Sequence, residues 1–117
     1  RDGLPPVRFG MVDVRDVAEA HFRAGFLPGA SGRYLIAEKV YSFGDLAEML
    51  KKRYGDAWLF PVNTALPEGL PHYAWDTGKS IKELGLHYRR VEDGLVAMFE
   101  QMIEKGFMTR GDTVPAL

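Results

Sequence analysis

The stretch "FGMVDVRDVAEAH", residues 9–21, is where the hydrophobic pattern of the chain changes from that of a strand to that of a helix. Its first part, "FGMVDV" at 9–14, is rich in apolar and β-branched residues and predicts a buried strand. Asp16 stands where a helix N-cap is needed, and apolar side chains then recur at helical spacing over 17–26. A strand that leads directly into a helix predicts an α/β unit.

Further along the chain, strand and helix signals continue to alternate. A loop with proline and glycine precedes "RYLIA", residues 33–37, which predicts a second short strand. Ser42 and Asp45 have the spacing of a capping box before a helix over 46–54, and Gly55 provides its stop.

The second half of the chain predicts one more strand and two more helices. "WLFPV", residues 58–62, reads as an edge strand because it contains a proline, and a proline- and glycine-rich connector covers 63–72. Asp76 or Thr77 can cap a short helix that Gly85 closes. The last helix, about 91–105, has a continuous apolar face. The predicted fold is therefore a small mixed α/β lobe in the order βαβαβαα, with at least some parallel strand pairing.

The bulk properties are those of a single soluble lobe. The chain has 117 residues, a net charge of −1 and no cysteine. The balanced charge gives no case for a nucleic-acid partner, and no apolar run approaches the roughly 20 residues of a membrane span. A cytoplasmic location is the expectation. The first residues, "RDGLPPVRFG", contain no helix or strand signal, so we interpret residues 1–117 as one lobe of a longer protein.

The triplet Gly78-Lys79-Ser80 matches the end of a phosphate-binding loop. Such a loop needs a glycine five positions before Gly78, where its amides curl around phosphate, and that position is Tyr73. The glycines of "GFLPGASG", 25–32, lie between a helix and a strand, the reverse of the dinucleotide-loop context. We therefore predict no cofactor-binding residue in this chain.

Acidic residues and a histidine cluster in sequence around the start of the first helix. These residues do not share one helix face, because His21 lies five residues after Asp16. The four residues are Asp13, Asp16, Glu19 and His21. No serine stands in a nucleophile-elbow context. The sequence therefore predicts neither a metal site nor a catalytic residue here, and assigns His21 and Trp75 to packing with locally satisfied polar tips.

Four motifs in a fixed order resemble the C-terminal part of extended short-chain dehydrogenase/reductases, particularly the dihydroflavonol reductase and cinnamoyl-CoA reductase branch. They are "FGMVDVRDVAEAH", "SGRYLIA", "WDTGKSIKELGLHYR" and "VEDGLVAMFEQMIEKGFM". The residues that match the family's structural motifs include Asp16, His21, Arg33, Asp76, Lys79 and Gly85. Gly78 and Ser80 depart from the family pattern, which usually has serine and alanine there.

The resemblance implies a parent reductase that moves hydride from NADPH or NADH to a carbonyl. The family's glycine-rich loop and its Tyr-x-x-x-Lys catalytic pair have no match in this sequence. The chain then corresponds to the substrate-binding part of a Rossmann-type reductase without its dinucleotide-binding domain, inactive alone and without a cofactor. Phe9 and Met11 stand beside the family's substrate region and are candidate pocket residues, although ordinary core packing explains both equally well.

The residues leave open two alternatives to a carbonyl reductase. Nucleotide-sugar epimerases and dehydratases share the architecture and usually place a phosphate-binding arginine where Phe9 stands, so Phe9 favours a small uncharged carbonyl substrate. The other alternative is a freestanding, non-enzymatic interaction module. A lobe separated from its cofactor domain exposes apolar surface, so self-association as a dimer or swapped assembly is expected.

Overall fold

A computed structural model describes residues 4–60 and 66–108 of the protein. The predicted α/β class is confirmed, with two strands, four α-helices and one 3-10 turn among the described residues. In chain order the elements are β1 (Arg8–Met11), α1 (Val14–Phe26), β2 (Lys39–Ser42), α2 (Phe43–Tyr54), the 3-10 turn (Gly55–Ala57), α3 (Gly78–Leu84) and α4 (Val91–Glu104). None of the helices in these ranges is long and apolar enough to cross a lipid bilayer.

The two strands pair with each other in one sheet. The Glu38 amide, just before β2, donates to the carbonyl of Met11, the last residue of β1, at 2.7 Å. This bond places the beginning of β2 beside the end of β1, as in antiparallel strands. The expected parallel pairing is therefore wrong for this sheet.

Helix α1 begins one turn earlier than the sequence predicts. Asp13 is the N-cap, with an extended backbone and a carboxylate that accepts from the Arg15 amide at 2.9 Å. The strand predicted over 9–14 is confirmed for residues 9–11 and wrong for residues 12–14, and the assignment of Asp16 as the cap was wrong. Two aspartates three residues apart fit the same capping pattern, and the helix uses the first. Val14 accordingly lies on the helix surface and is 78% exposed.

The chain folds into two compact units, each built from separate stretches of sequence. One unit comprises residues 10–40 and 72–94. Its core is formed by Ala20 of α1 with Leu84 and Leu86, and α1 packs against α3 there. Gly85 ends α3 in the left-handed conformation, at φ 65°, as the sequence predicts.

In this unit the predicted strand over 33–37 is not assigned as a strand. The side chains still alternate: Tyr34 and Ile36 pack against the core, whereas Leu35 is 44% exposed. The main chain of residues 34–36 makes no hydrogen bond to the part of the chain that the structure describes. The segment has the side-chain pattern of a strand without a hydrogen-bonded neighbour.

The other unit comprises, among the described residues, 4–9, 41–60, 66–71 and 95–108. Ser42 is both the last residue of β2 and the N-cap of α2. Its hydroxyl accepts from the Asp45 amide at 3.1 Å, and the Asp45 carboxylate accepts from the Ser42 amide at 2.8 Å. The predicted capping box is therefore confirmed, although α2 begins at Phe43 rather than near 46. Gly55 follows the helix with φ 58°.

Three aromatic side chains of this second unit lie around Phe99 of α4. Its ring centroid lies 4.9 Å from that of Tyr54, 5.3 Å from Trp58 and 6.1 Å from Phe60. Residues 58–60 are in no strand, while 61–62 of the predicted strand and 63–65 of the connector lie outside the described residues. Helix α4 agrees with the predicted 91–105 to within a residue.

Candidate functional site

The turn from β1 into α1 is fixed by an ion pair. The Arg15 guanidinium donates to both carboxylate oxygens of Asp13, at 3.0 and 2.7 Å. This hydrogen bonding, chiefly from the Arg15 side chain, lowers the pKa of the buried Asp13 from 3.8 to about 2. A Cβ at Gly94 would lie 2.6 Å from Asp13 Oδ2, so the absent side chain leaves room for the carboxylate. Asp13 is therefore a permanently ionised structural group near neutral pH.

Asp16 joins α1 to the segment between α3 and α4. Its Oδ2 accepts from the Arg89 amide at 2.8 Å, and its Oδ1 pairs with the Arg89 guanidinium. Asp16 is 3% exposed, so this pair is largely withdrawn from water on the carboxylate side. No spacing rule connects positions 73 residues apart, so no local pattern indicates Arg89 as the partner.

Gly10 and Trp75 form a close contact that sequence reasoning missed. A Cβ on Gly10 would lie 2.6 Å from Cε3 of the indole ring. Trp75 is 42% exposed and lies with its ring against the β1 backbone rather than inside the core. The available signal was a glycine inside an apolar strand, which often marks close approach of another group.

Lys79 holds the loop that leads into residues 34–36. Its Nζ donates to the carbonyls of Ser31 and Arg33, both at 2.9 Å, and lies 4.3 Å from the Tyr34 ring centroid. The motif residue Arg33 thus contributes its carbonyl oxygen to this contact. Two backbone acceptors and an aromatic face together satisfy the ammonium group.

The remaining polar groups of the "DTGKS" stretch are also satisfied internally. Asp76 Oδ1 accepts from the Gly78 amide at 2.9 Å at the start of α3, whereas Thr77 makes no side-chain cap bond. The fully buried Ser80 hydroxyl donates to the Thr77 carbonyl at 2.6 Å and lies 2.7 Å from the Tyr88 hydroxyl. The phosphate-loop triplet therefore has a structural role in this fold.

Three further polar side chains of α1 have partners within the helix or at the end of α3. Glu19 accepts from Arg23 at 2.7 Å, and Arg23 also donates to the carbonyls of Leu84 and Gly85 at the end of α3. His21 is exposed, with Nδ1 2.7 Å from the Val17 carbonyl, so the packing assignment for His21 was wrong. The polar tip is satisfied locally, but the helix turns that face toward solvent.

The two candidate substrate residues lie on β1 and are both half-buried. The Phe9 ring packs on Phe43, with centroids 5.0 Å apart, in the second unit. Met11 belongs to the first unit, where its carbonyl accepts from Glu38. A role for Phe9 and Met11 in lining a substrate pocket stays a prediction.

Comparison with known proteins gives the context for this arrangement. No family model matches the chain. Cinnamoyl-CoA reductase 1 of Arabidopsis thaliana is 35% identical over 102 residues, which cover 83% of this chain and 28% of that protein. Ketoreductase azaE of Aspergillus niger is 38% identical over 112 residues, covering 86% of this chain and 32% of that protein.

A solved structure shows the same fold. It is the yeast methylglyoxal/isovaleraldehyde reductase Gre2 complexed with NADPH, with a TM-score of 0.66 and 23% identity. The match covers 90% of this chain and 36% of that one. The chain thus spans about three tenths of the curated relatives it matches. The resemblance read from the four sequence motifs is confirmed, because the chain is similar to part of a cinnamoyl-CoA reductase and to part of a ketoreductase.

Proposed function

We propose that the chain is the substrate-binding part of an NAD(P)-dependent carbonyl reductase, with NADPH or NADH as the hydride donor of the whole enzyme. The observation that carries the proposal is the 35% identity to a cinnamoyl-CoA reductase over 102 residues. The complex of the yeast relative with NADPH supports the same class of cofactor.

The local geometry supports a binding role rather than a chemical one for these residues. The motif residues Asp16 and Lys79 fix main-chain segments through hydrogen bonds, and Asp13 and Arg15 neutralise each other. Such a scaffold holds a surface in place without supplying a proton or a hydride. We assign to Phe9 and Met11 the lining of a pocket for a small uncharged carbonyl compound.

The chain alone is proposed to have no turnover. Four residues after its tyrosines stand Glu38, Asp45, Trp58, Thr77 and Glu92, so the Tyr-x-x-x-Lys pair of the family has no counterpart here. Neither a dinucleotide loop nor a catalytic pair is then available to these 117 residues.

The test is a chimera in which residues 7–108 replace the homologous segment of Arabidopsis cinnamoyl-CoA reductase 1. We expect NADPH oxidation by the chimera with members of a panel of aldehydes, ketones and acyl-CoA thioesters, and none by the chain alone. Met11→Ala in the chimera should raise KM for the best substrate with a smaller effect on kcat. Lys82→Ala, in an exposed position of α3, is the matched control and should change neither.

Two results would overturn the proposal. Tight NADPH binding by the 117-residue chain would contradict the absence of a cofactor site. A folded chimera that does not reduce carbonyl compounds but turns over nucleotide sugars would favour the epimerase and dehydratase branch instead.

A further inference from the structure

The contact between Gly10 of β1 and Trp75 requires a glycine for space rather than for backbone conformation. The φ angle of Gly10 is not positive, unlike those of Gly29 and Gly32, so other residues could adopt its backbone conformation. A Cβ at Gly10 would, however, lie 2.6 Å from Cε3 and 2.7 Å from Cζ3 of the indole. Glycine in the interior of a strand weakens the strand and often marks the close approach of another group. Here that group is the six-membered ring of Trp75.

The indole of Trp75 is not a core side chain of its unit. Trp75 is 42% exposed, whereas the core residues Leu84 and Leu86 are 1% and 3% exposed. The chain directly after Trp75 is fixed, because the Asp76 carboxylate accepts from the Gly78 amide at 2.9 Å where α3 begins. The ring is therefore held against the main chain of β1 while much of its surface stays in contact with water.

Two contacts hold β1 in different directions. Within the sheet, the Met11 carbonyl accepts from the Glu38 amide at 2.7 Å. The indole contacts the strand at Gly10 from one face of the sheet, and because side chains alternate along a strand, the Met11 side chain lies on the opposite face. All four residues of β1 are half-buried, so the strand has no deeply buried face that would fix it without the indole.

We propose that Trp75 is a positioning residue for substrate binding, which supports the β1 main chain at Gly10 and thereby holds the Met11 side chain in place on the opposite face. The proposal rests on the proposed function, since it takes Met11 to line the substrate pocket. Without the ring, β1 loses its support on the Gly10 face and Met11 occupies more than one position. Substrate binding then has to order Met11, which weakens binding and leaves the reacting groups unchanged.

Steady-state kinetics of the chimera that carries residues 7–108 test this role. Trp75→Ala should raise KM for the best carbonyl substrate at least about threefold, with less than about twofold change in kcat. Trp75→Phe retains a flat ring and should keep KM near that of the unsubstituted chimera. Ile81→Ala, at an apolar position of α3 that is 48% exposed, is the matched control and should change neither constant. If the Trp75→Ala chimera does not fold, Trp75→Leu takes its place, because leucine keeps apolar bulk without the flat ring.

A double-mutant cycle shows whether Trp75 acts through Met11. The effects of two residues on binding add when the residues act independently, and fail to add when one acts through the other. The chimera with both Trp75→Ala and Met11→Ala should therefore have a KM no higher than that of the worse single variant. A KM raised by the product of the two single fold-changes would overturn the role assigned to Trp75.

Methyl relaxation in the 117-residue chain gives a readout that needs no enzymatic activity. With isotope-labelled methionine methyl groups, the Met11 methyl should have a lower order parameter in Trp75→Ala than in the wild type, and the wild-type value in Trp75→Phe. Met98, which is 54% exposed on α4, is the internal reference and should give the same value in all three proteins. An unchanged Met11 methyl in Trp75→Ala would overturn the proposal.

The outcomes separate this proposal from the proposed function. An active chimera whose KM does not respond to Trp75→Ala, even if its urea midpoint falls, would show a purely structural role for Trp75 and leave the reductase function standing. A chimera without carbonyl reduction, together with a more mobile Met11 methyl in Trp75→Ala, would support the positioning of Met11 by Trp75 and count against the function.

Discussion

Asp16 and Arg89 join helix α1 to the segment between α3 and α4 with two bonds, one to the Arg89 backbone amide and one to its guanidinium. The backbone bond, at 2.8 Å, ends on a carboxylate that is 3% exposed. A buried carboxylate with two donors from one residue fixes both position and direction of the segment that carries it. We therefore expect this pair to contribute more to the free energy of unfolding than the exposed ion pairs of the chain do.

Removing the Asp16 carboxylate is expected to destabilise the fold. Asp16→Ala leaves the Arg89 amide without its acceptor, which costs about 1–3 kcal/mol in the free energy of unfolding. Asp16→Asn retains an acceptor and should lose less. Glu19→Gln, which removes a solvent-exposed i,i+4 partner of Arg23, should lose less than about 0.5 kcal/mol. Urea unfolding followed by circular dichroism measures all three, and an equal loss for Asp16→Ala and Glu19→Gln would contradict the argument.

Acid is expected to weaken the fold through Asp13. The pKa of this group falls from 3.8 to about 2 in the folded chain, mainly because Arg15 donates to its carboxylate. A lowered folded pKa contributes stability that is present above about pH 4 and is lost as the pH falls toward about 2. The urea midpoint of the wild-type chain should therefore decline across this window.

The matched variant for this effect is Asp13→Asn, because asparagine still caps a helix but carries no charge. Its urea midpoint should be lower than that of the wild type at about pH 6, and the gap should narrow as the pH approaches about 2. A gap that stays constant across this range would show that the Asp13–Arg15 pair does not contribute through ionisation.

Adding one methyl group to Gly10 is expected to disturb the Trp75 contact. In Gly10→Ala the new Cβ would lie 2.6 Å from the indole, and relieving such overlap costs about 1–3 kcal/mol. Gly25→Ala is the control, since no described atom lies within 4 Å of its added Cβ and alanine favours the helix. A double-mutant cycle with Trp75→Ala should recover most of the loss. Additive losses in the cycle would exclude the contact as the cause.

Neutralising Lys79 is expected to loosen the loop over 31–34. Lys79→Met keeps the aliphatic length but removes the bonds to the Ser31 and Arg33 carbonyls, and about 1 kcal/mol of stability should be lost. Amide exchange in residues 31–34 should accelerate while the interior of α2 is unchanged. Lys82→Met, on an exposed position of the same helix, is the control and should affect neither measurement.

The exposed aromatic pair on α1 is expected to support self-association. Phe22 and Phe26 stack with centroids 5.0 Å apart while 62% and 76% exposed, and Val14 on the same helix is 78% exposed. An apolar surface of this kind favours contact with the same surface of a second copy. The variant Phe22→Gln with Phe26→Gln should sediment as a monomer at concentrations where the wild type associates. Leu59→Gln removes an equally exposed apolar side chain elsewhere and should leave the association unchanged; an equal effect of both changes would argue against α1 as the interface.

Local signals in the sequence predicted those parts of the fold that local chemistry determines. The Ser42–Asp45 capping box, the glycine stops at Gly55 and Gly85 and the apolar face of the last helix all depend on neighbours within four residues. The first helix begins earlier than predicted, because Asp13 and Asp16 both satisfy the capping rule. Asp13 caps the helix, whereas Asp16 binds Arg89, a tertiary contact that the local sequence does not indicate.

Contacts between distant positions could not be predicted in the same way. Two examples are the contact between Gly10 and Trp75 and the hydrogen bonds of Lys79 to residues 31 and 33. These positions lie far apart in the chain, and no periodic pattern in the sequence indicates that they are in contact. The strand predicted over 33–37 is instructive for another reason. Its side-chain alternation is present, but a ladder also needs a neighbouring strand, which side-chain pattern does not guarantee.

Ser42 ends a strand and caps a helix at the same position, so no linker residue separates β2 from α2. Insertion of even one residue between Ser42 and Phe43 would break the Ser42–Asp45 register that closes the capping box. This junction is therefore a poor place to fuse a tag, insert a domain or move the chain termini by circular permutation. Gly29 in the surface loop after α1 is a better place, because a Cβ added there would meet no described atom within 4 Å.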